Sequence, residues 1–256
     1  MGNVVMEETE HIAYIYLNRA EKYNALNEEM LEELLDAVRQ AKACDAKIII
    51  LAGKGSAFCS GGDIGMMEAF SDKIYFDKVM GLIRGIVMEL YLMPKIVISA
   101  IQGPVAGLGL SIALTADYVL AQREATLGML FIGIGLLPDG GGHFFLQQRI
   151  GTSNAKQFIW SKKQIDGAQA KEMGLVDILA DEHAMEAAKK LAESLLTTPL
   201  VAMIKTKLLY HSHEKSSLAS CLTEEQAAQW ELRQTQDHQE GVRAFLEKRK
   251  PVFIGK

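Results

Sequence analysis

Ile96-Val97-Ile98-Ser99-Ala100-Ile101-Gln102-Gly103-Pro104-Val105-Ala106-Gly107-Leu108-Gly109-Leu110 is the stretch on which the fold turns. Its opening run is β-branched or small and uncharged, the composition of a strand buried on both faces. Gly103-Pro104 interrupts that run with turn chemistry. Gly107 to Leu110 then opens an apolar helix. A buried strand that feeds a glycine corner and a helix points to an α/β layer arrangement.

The same order recurs upstream. Residues 48–52 read as a buried strand, ended by Gly53-Lys54-Gly55-Ser56 and followed by Ala57-Phe58-Cys59-Ser60-Gly61-Gly62-Asp63-Ile64. Between the two strands a helix is expected within 74–92, closed by Pro94. Before them, Ile12–Leu17 is a β-branched and aromatic run that pairs with Val4–Glu8, and 18–24 is a polar loop. Asn27 caps a helix over Glu28–Ala43, in which Leu31, Leu34, Leu35 and Val38 recur at helical spacing. From about 152 the character changes. Helices are expected over 182–196, 200–211, 216–236 and 238–248, with a short strand at 174–178. The division expected is a core over 1–195 and a helical C-terminal region over 196–256.

Composition narrows the function classes. Of 256 residues, 49% are hydrophobic and 23% charged, which suits a packed globular chain. The net charge of −5 opposes nucleic-acid binding, because that affinity comes from Lys and Arg neutralising phosphates. Cys44, Cys59 and Cys221 form no CxxC pair, so neither a disulfide framework nor a metal site is expected. No apolar run approaches a membrane span, and Glu7, Glu8 and Glu10 occupy the place of a signal core. A cytoplasmic location is expected.

Taken singly, each glycine stretch reads as an ordinary strand-to-helix corner. A dinucleotide fingerprint fits poorly, since Ile112 stands at the third glycine position and Asp117 is too near to serve the ribose. Facing each other, the two corners would present two backbone N–H groups to one oxygen, the geometry of an oxyanion hole.

In order and spacing these segments resemble the crotonase family of enoyl-CoA hydratases and isomerases from end to end. Asn18-Arg19-Ala20-Glu21-Lys22-Tyr23-Asn24-Ala25-Leu26 resembles the family's CoA-binding loop, 57–64 its first oxyanion segment and 101–117 its second. Residues 128–142 resemble its catalytic loop, and 244–253 its C-terminal signature. The resemblance implies a spiral of ββα units with a helical C-terminal trimerisation region, and a homotrimer or dimer of trimers. It implies oxyanion donors at the Gly62 and Leu108 N–H groups, and an acyl-CoA lying near Lys22, Ala25, Ala57, Asp63 and Ile64. Coenzyme A would arrive as part of the substrate, with no permanently bound cofactor.

The chemistry is less settled. The two glutamates of the family's hydratases align with Ser111 and Phe131, neither of which can serve as the acid or base that hydration needs. Asp139, in Leu136-Leu137-Pro138-Asp139-Gly140-Gly141-Gly142, stands where some isomerases of the family carry a single acid. One carboxyl of raised pKa can remove a proton at C2 and return it at C4. Pro-Asp-Gly is equally a turn sequence. The resemblance thus favours double-bond isomerisation with Asp139 as acid and base, Phe131 shaping the acyl pocket and Ser111 touching substrate or only its helix. Alternatives are an enoyl-CoA hydratase of fatty-acid oxidation, a non-catalytic acyl-CoA binder, and a serine hydrolase on Ser111. Ser111 lacks the last glycine of a G-x-S-x-G elbow. His143 reads as a packing or solvated histidine.

Overall fold

The computed structural model describes residues 2–67 and 69–256. Strands β1 (Val4–Glu8) and β2 (Ile12–Leu17) precede helix α1 (Glu28–Ala43), strand β3 (Ile48–Gly53), helix α2 (Lys73–Tyr91) and strand β4 (Ile96–Ile101). Then come β5 (Pro104–Ala106), α3 (Leu108–Ala113), β6 (Tyr118–Gln122), β7 (Thr126–Gly128) and α4 (Gly142–Ser161). The chain ends through β8 (Ile165–Asp166), α5 (Gly167–Met173), β9 (Ile178–Ala180), α6 (Ala184–Leu196), α7 (Leu200–Arg233) and α8 (Gln236–Leu246).

The main sheet runs β1-β2-β3-β4-β6-β9. Its first pair is antiparallel and the remaining pairs are parallel. Side chains alternate across a strand, so the sheet feeds two cores. Ile15, Ile49, Leu51 and Val97 face α1 and α2 on one side. Tyr14, Ile48, Ile50, Ile96 and Ile98 face α6 on the other. A small sheet, β5-β7-β8, stands apart. Asn27 caps α1 as its sequence predicts, accepting from the Met30 N–H at 3.0 Å.

Two expectations need correction. The helices expected over 200–211 and 216–236 are one helix, α7. No glycine or proline interrupts it, and Ser212 and His213 turn their side chains back onto the Leu209 carbonyl instead of breaking the helix. The strand expected at 174–178 is β9, further along. Gly174 is the left-handed cap of α5 (φ 86°), and pairing with β6 starts only when the Asp177 N–H reaches the Val119 carbonyl at 2.8 Å. Among the described residues no helix is long and apolar enough to cross a membrane.

Candidate active site

The two glycine corners lie against each other. Cys59 and Val105 form a parallel bridge, and the Ala106 N–H donates to the Cys59 carbonyl at 2.9 Å. Gly109 lets the start of α3 approach Cys59 closely, since a Cβ there would meet the Cys59 Sγ at 2.6 Å. Gly61 (φ 100°) and Gly107 (φ 53°) turn the chain immediately before Gly62 and Leu108. A Cβ on Gly61 would sit 3.7 Å from the Leu108 nitrogen, so the two amides are near neighbours. Neither the Gly62 nor the Leu108 N–H donates to an acceptor among the described residues. A side chain at Gly62 would meet nothing within 4 Å, because it faces open space.

That space is a cavity of about 390 Å³. The turns at Gly61-Gly62 and Gly107-Leu108 form one wall. Ile64, Met66, Met67, Phe70, Met80, Ile83, Leu130 and Phe131 make most of the rest apolar. Asp139 opens into it. The residue is 7% exposed, and its buried Oδ1 has no hydrogen-bond partner among the described residues. Burial raises its pKa from 3.8 to about 7, the Glu225 carboxylate adds to the rise, and the Arg233 guanidinium opposes it. Asp139 is also a turn residue, its carbonyl accepting from the Gly142 N–H at 3.1 Å.

The catalytic-loop segment is held from outside. The Ser111 hydroxyl donates to the Asp139 carbonyl at 2.7 Å, and Ser111 does not line the cavity. Among the described residues no histidine is hydrogen-bonded to it, so a hydrolytic nucleophile there lacks its base. Glu225, buried on α7, accepts from the Gly141 N–H at 2.7 Å and the His143 N–H at 3.1 Å, and pairs with His143 Nδ1 at 2.8 Å. Gln229 Nε2 donates to the Leu137 carbonyl, and His238 Nδ1 lies 2.8 Å from the Ile134 carbonyl. The helical C-terminal part therefore frames the cavity, reaching it through Arg233 and Phe245.

Of the residues expected to meet the acyl-CoA, Asp63 and Ile64 line the cavity; Lys22, Ala25 and Ala57 do not. Lys22 is exposed and Ala57 buried. They belong to a laced unit beside it. Asn24 Nδ2 donates to the carbonyls of Lys54, Ala57 and Phe58, and the Leu26 N–H to the Gly61 carbonyl at 2.8 Å. Arg19 Nη1 reaches both the Ala25 carbonyl, at 3.0 Å, and Asp63, at 2.6 Å. Burial alone would raise the Asp63 pKa, but Arg19 and the Gly65 N–H hold it below the ordinary carboxylate value.

Sequence reasoning missed Glu225 and Arg233. Neither sits in a motif, and only the course of α7 brings Arg233 to the cavity and Glu225 to the turn that carries Asp139. Met129, next to the cavity residue Leu130 in sequence, is fully buried core and does not line the cavity.

Residues 7–256 match the model of the enoyl-CoA hydratase/isomerase family. YhaR of Bacillus subtilis (strain 168), whose name carries enoyl-CoA hydratase/isomerase provisionally, is 49% identical over 94% of this chain and 95% of its own. The 1,2-epoxyphenylacetyl-CoA isomerase of Escherichia coli (strain K12) is 34% identical over 94% of each chain. Among solved structures, an enoyl-CoA hydratase from Mycobacterium avium subsp. paratuberculosis K-10 superposes with a TM-score of 0.88 at 30% identity, covering 99% of both chains.

Proposed function

The chain belongs to the enoyl-CoA hydratase/isomerase family, and from that premise we propose that it moves the double bond of a 3-enoyl-CoA to the 2-position with Asp139 as its one proton carrier. The observation that carries this reading is the solitude of Asp139. The other described carboxylate lining the cavity, Asp63, is tied to Arg19. The positions that resemble the hydratase glutamates hold a serine bonded to the loop and a phenylalanine.

The proposed steps are these. The Asp139 carboxylate takes a proton from C2, and the C–H electron pair moves into the thioester carbonyl. The enolate oxygen is held by the Gly62 and Leu108 N–H groups, and a single donor of this kind contributes about 3–4 kcal/mol to such a transition state. The protonated Asp139 then returns its proton at C4, and the new double bond lies between C2 and C3. A base whose pKa stands near the working pH suits both transfers. The mostly apolar lining disfavours an ordered water poised to attack C3.

The CoA portion is assigned to the Arg19–Asp63 unit and its neighbours Lys22, Ala25, Ala57 and Ile64. Exposed apolar side chains on α7 and at the C-terminal end, including Val201, Tyr210 and Val252, support contact with further copies of the chain in a trimer. Incubating the protein with 3-enoyl-CoA in heavy-oxygen water tests the reaction. Conversion to 2-enoyl-CoA without label is the expected result. Unchanged 3-enoyl-CoA, with 2-enoyl-CoA supplied separately giving a labelled 3-hydroxyacyl product, would replace isomerisation by hydration.

A further inference from the structure

Arg233 has no task in that mechanism. It ends α7, lines the same cavity as Asp139, and packs its guanidinium 4.3 Å from the Phe70 ring centroid and 5.6 Å from that of Phe76. A guanidinium offers five in-plane donors. Here Nη1 reaches only the Met67 sulfur, a weak acceptor, at 3.4 Å, and buried Nε has no partner among the described residues. No described carboxylate lies within ion-pair distance. Its burial is unfavourable enough to lower its pKa to about 10.

The other charges facing the cavity do not absorb it. Asp63 is taken by Arg19, and Lys162 is exposed. Asp139 lines the same cavity, yet its Oδ1 and the Arg233 Nε are both without a hydrogen-bond partner among the described residues. A stacked, half-buried, under-used arginine is suited to bind a planar carboxylate edge-on.

We propose that the acyl pocket takes CoA thioesters whose acyl group ends in a carboxylate, and that Arg233, stacked on Phe70 beside the cavity, binds that carboxylate. The assignment rests on the acyl-CoA reading of the site and adds the polarity of the acyl end to it. The distal carboxylate completes the hydrogen bonds that Arg233 lacks. The thioester end lies at the Gly62 and Leu108 amides, with the chain between them passing Asp139.

Binding of saturated acyl-CoA thioesters of six to ten carbons, each with a methyl end and with a carboxylate end, tests this without turnover. The wild-type protein is expected to bind the better-fitting carboxylate ester on the order of 10- to 100-fold more tightly than its methyl counterpart. In Arg233→Met that ratio is expected to fall to near one, and Arg233→Lys is expected to keep part of it. Equal binding of both ends by the wild type, or a ratio that survives in Arg233→Met, overturns the assignment. Survival in that variant with loss in Lys162→Met would assign the carboxylate to Lys162. Should Arg233→Met not fold, the wild-type ratio and Arg233→Lys still decide. Turnover of 3-enoyl-CoA by Asp139→Asn is scored separately, so a failed proton-transfer reading leaves the end-group result standing.

Discussion

The Glu225 carboxylate accepts the Gly141 N–H at 2.7 Å, joining the long α7 helix to the turn that carries Asp139. The contact is one of two backbone bonds made by this buried acid, the other being to His143. It has two consequences of opposite kind. The bonds fix the turn in place. The negative charge beside Asp139 helps keep the Asp139 proton on.

Glu225→Ala is therefore expected to lower stability by about 2–4 kcal/mol, because two backbone donors lose their acceptor. Glu225→Gln keeps the shape and removes the charge. The acid limb of its kcat/KM profile is expected to move to lower pH, since Asp139 ionises more readily without the neighbouring anion. An unmoved limb would leave Glu225 a purely structural anchor.

Asp139→Asn is expected to lower turnover of 3-enoyl-CoA by at least ~100-fold, the size of a deleted general base. Binding of a saturated acyl-CoA should persist. In the wild type, kcat/KM should rise with pH through the region of 7, where the Asp139 carboxyl loses its proton. A profile flat from pH 5 to 8 would argue against Asp139 as the base.

Gly61→Ala tests the amide pair. Gly61 has φ 100°, and a Cβ would lie 2.9 Å from the Ala106 carbonyl oxygen. The added methyl should push the two corners apart and shift the Gly62 N–H. Loss of one well-aimed donor is worth about 100- to 1,000-fold in kcat. The effect should fall on kcat more than on KM, and a change in KM alone would count against an oxyanion role.

Much of this site was legible because its parts are local. The strand at Ile96–Ile101, the corners at 57–64 and 103–110 and the cap at Asn27 each carry their signal within a few residues: β-branched runs, glycines, an Asx side chain. Asp139 could be singled out because Pro138 and Gly140 mark its loop and the resemblance supplies the rest. Glu225 and Arg233 were not legible. Both lie on a long helix with no motif of its own, and α7 comes back over a loop far earlier in the chain, with separations of 84 and 92 in the Glu225–Gly141 and Gln229–Leu137 bonds. The continuity of α7 across 212–215 was missed for a related reason, since polar residues suggest a break that only packing decides. Ser111 illustrates a third limit. Its position could be aligned, but only the fold shows its hydroxyl turned to the Asp139 carbonyl, where it orders the loop.

A carboxyl held for chemistry should weaken the fold. Asp139 has a folded pKa of about 7 against an ordinary 3.8, so between those values the native state holds a proton that the unfolded chain releases. Stability then falls as pH rises through that window, by on the order of 4 kcal/mol at most once it is passed. Asn at this position has nearly the same shape and no charge to bury. Asp139→Asn is therefore expected to melt several degrees above the wild type at pH 8, with the gap shrinking as the pH is lowered toward 4. Paired thermal melts across that range decide it. A gap that stays constant with pH, or that favours the wild type at pH 8, would mean that Asp139 is not buried as an isolated charge, and the physical basis for its raised pKa would go with it.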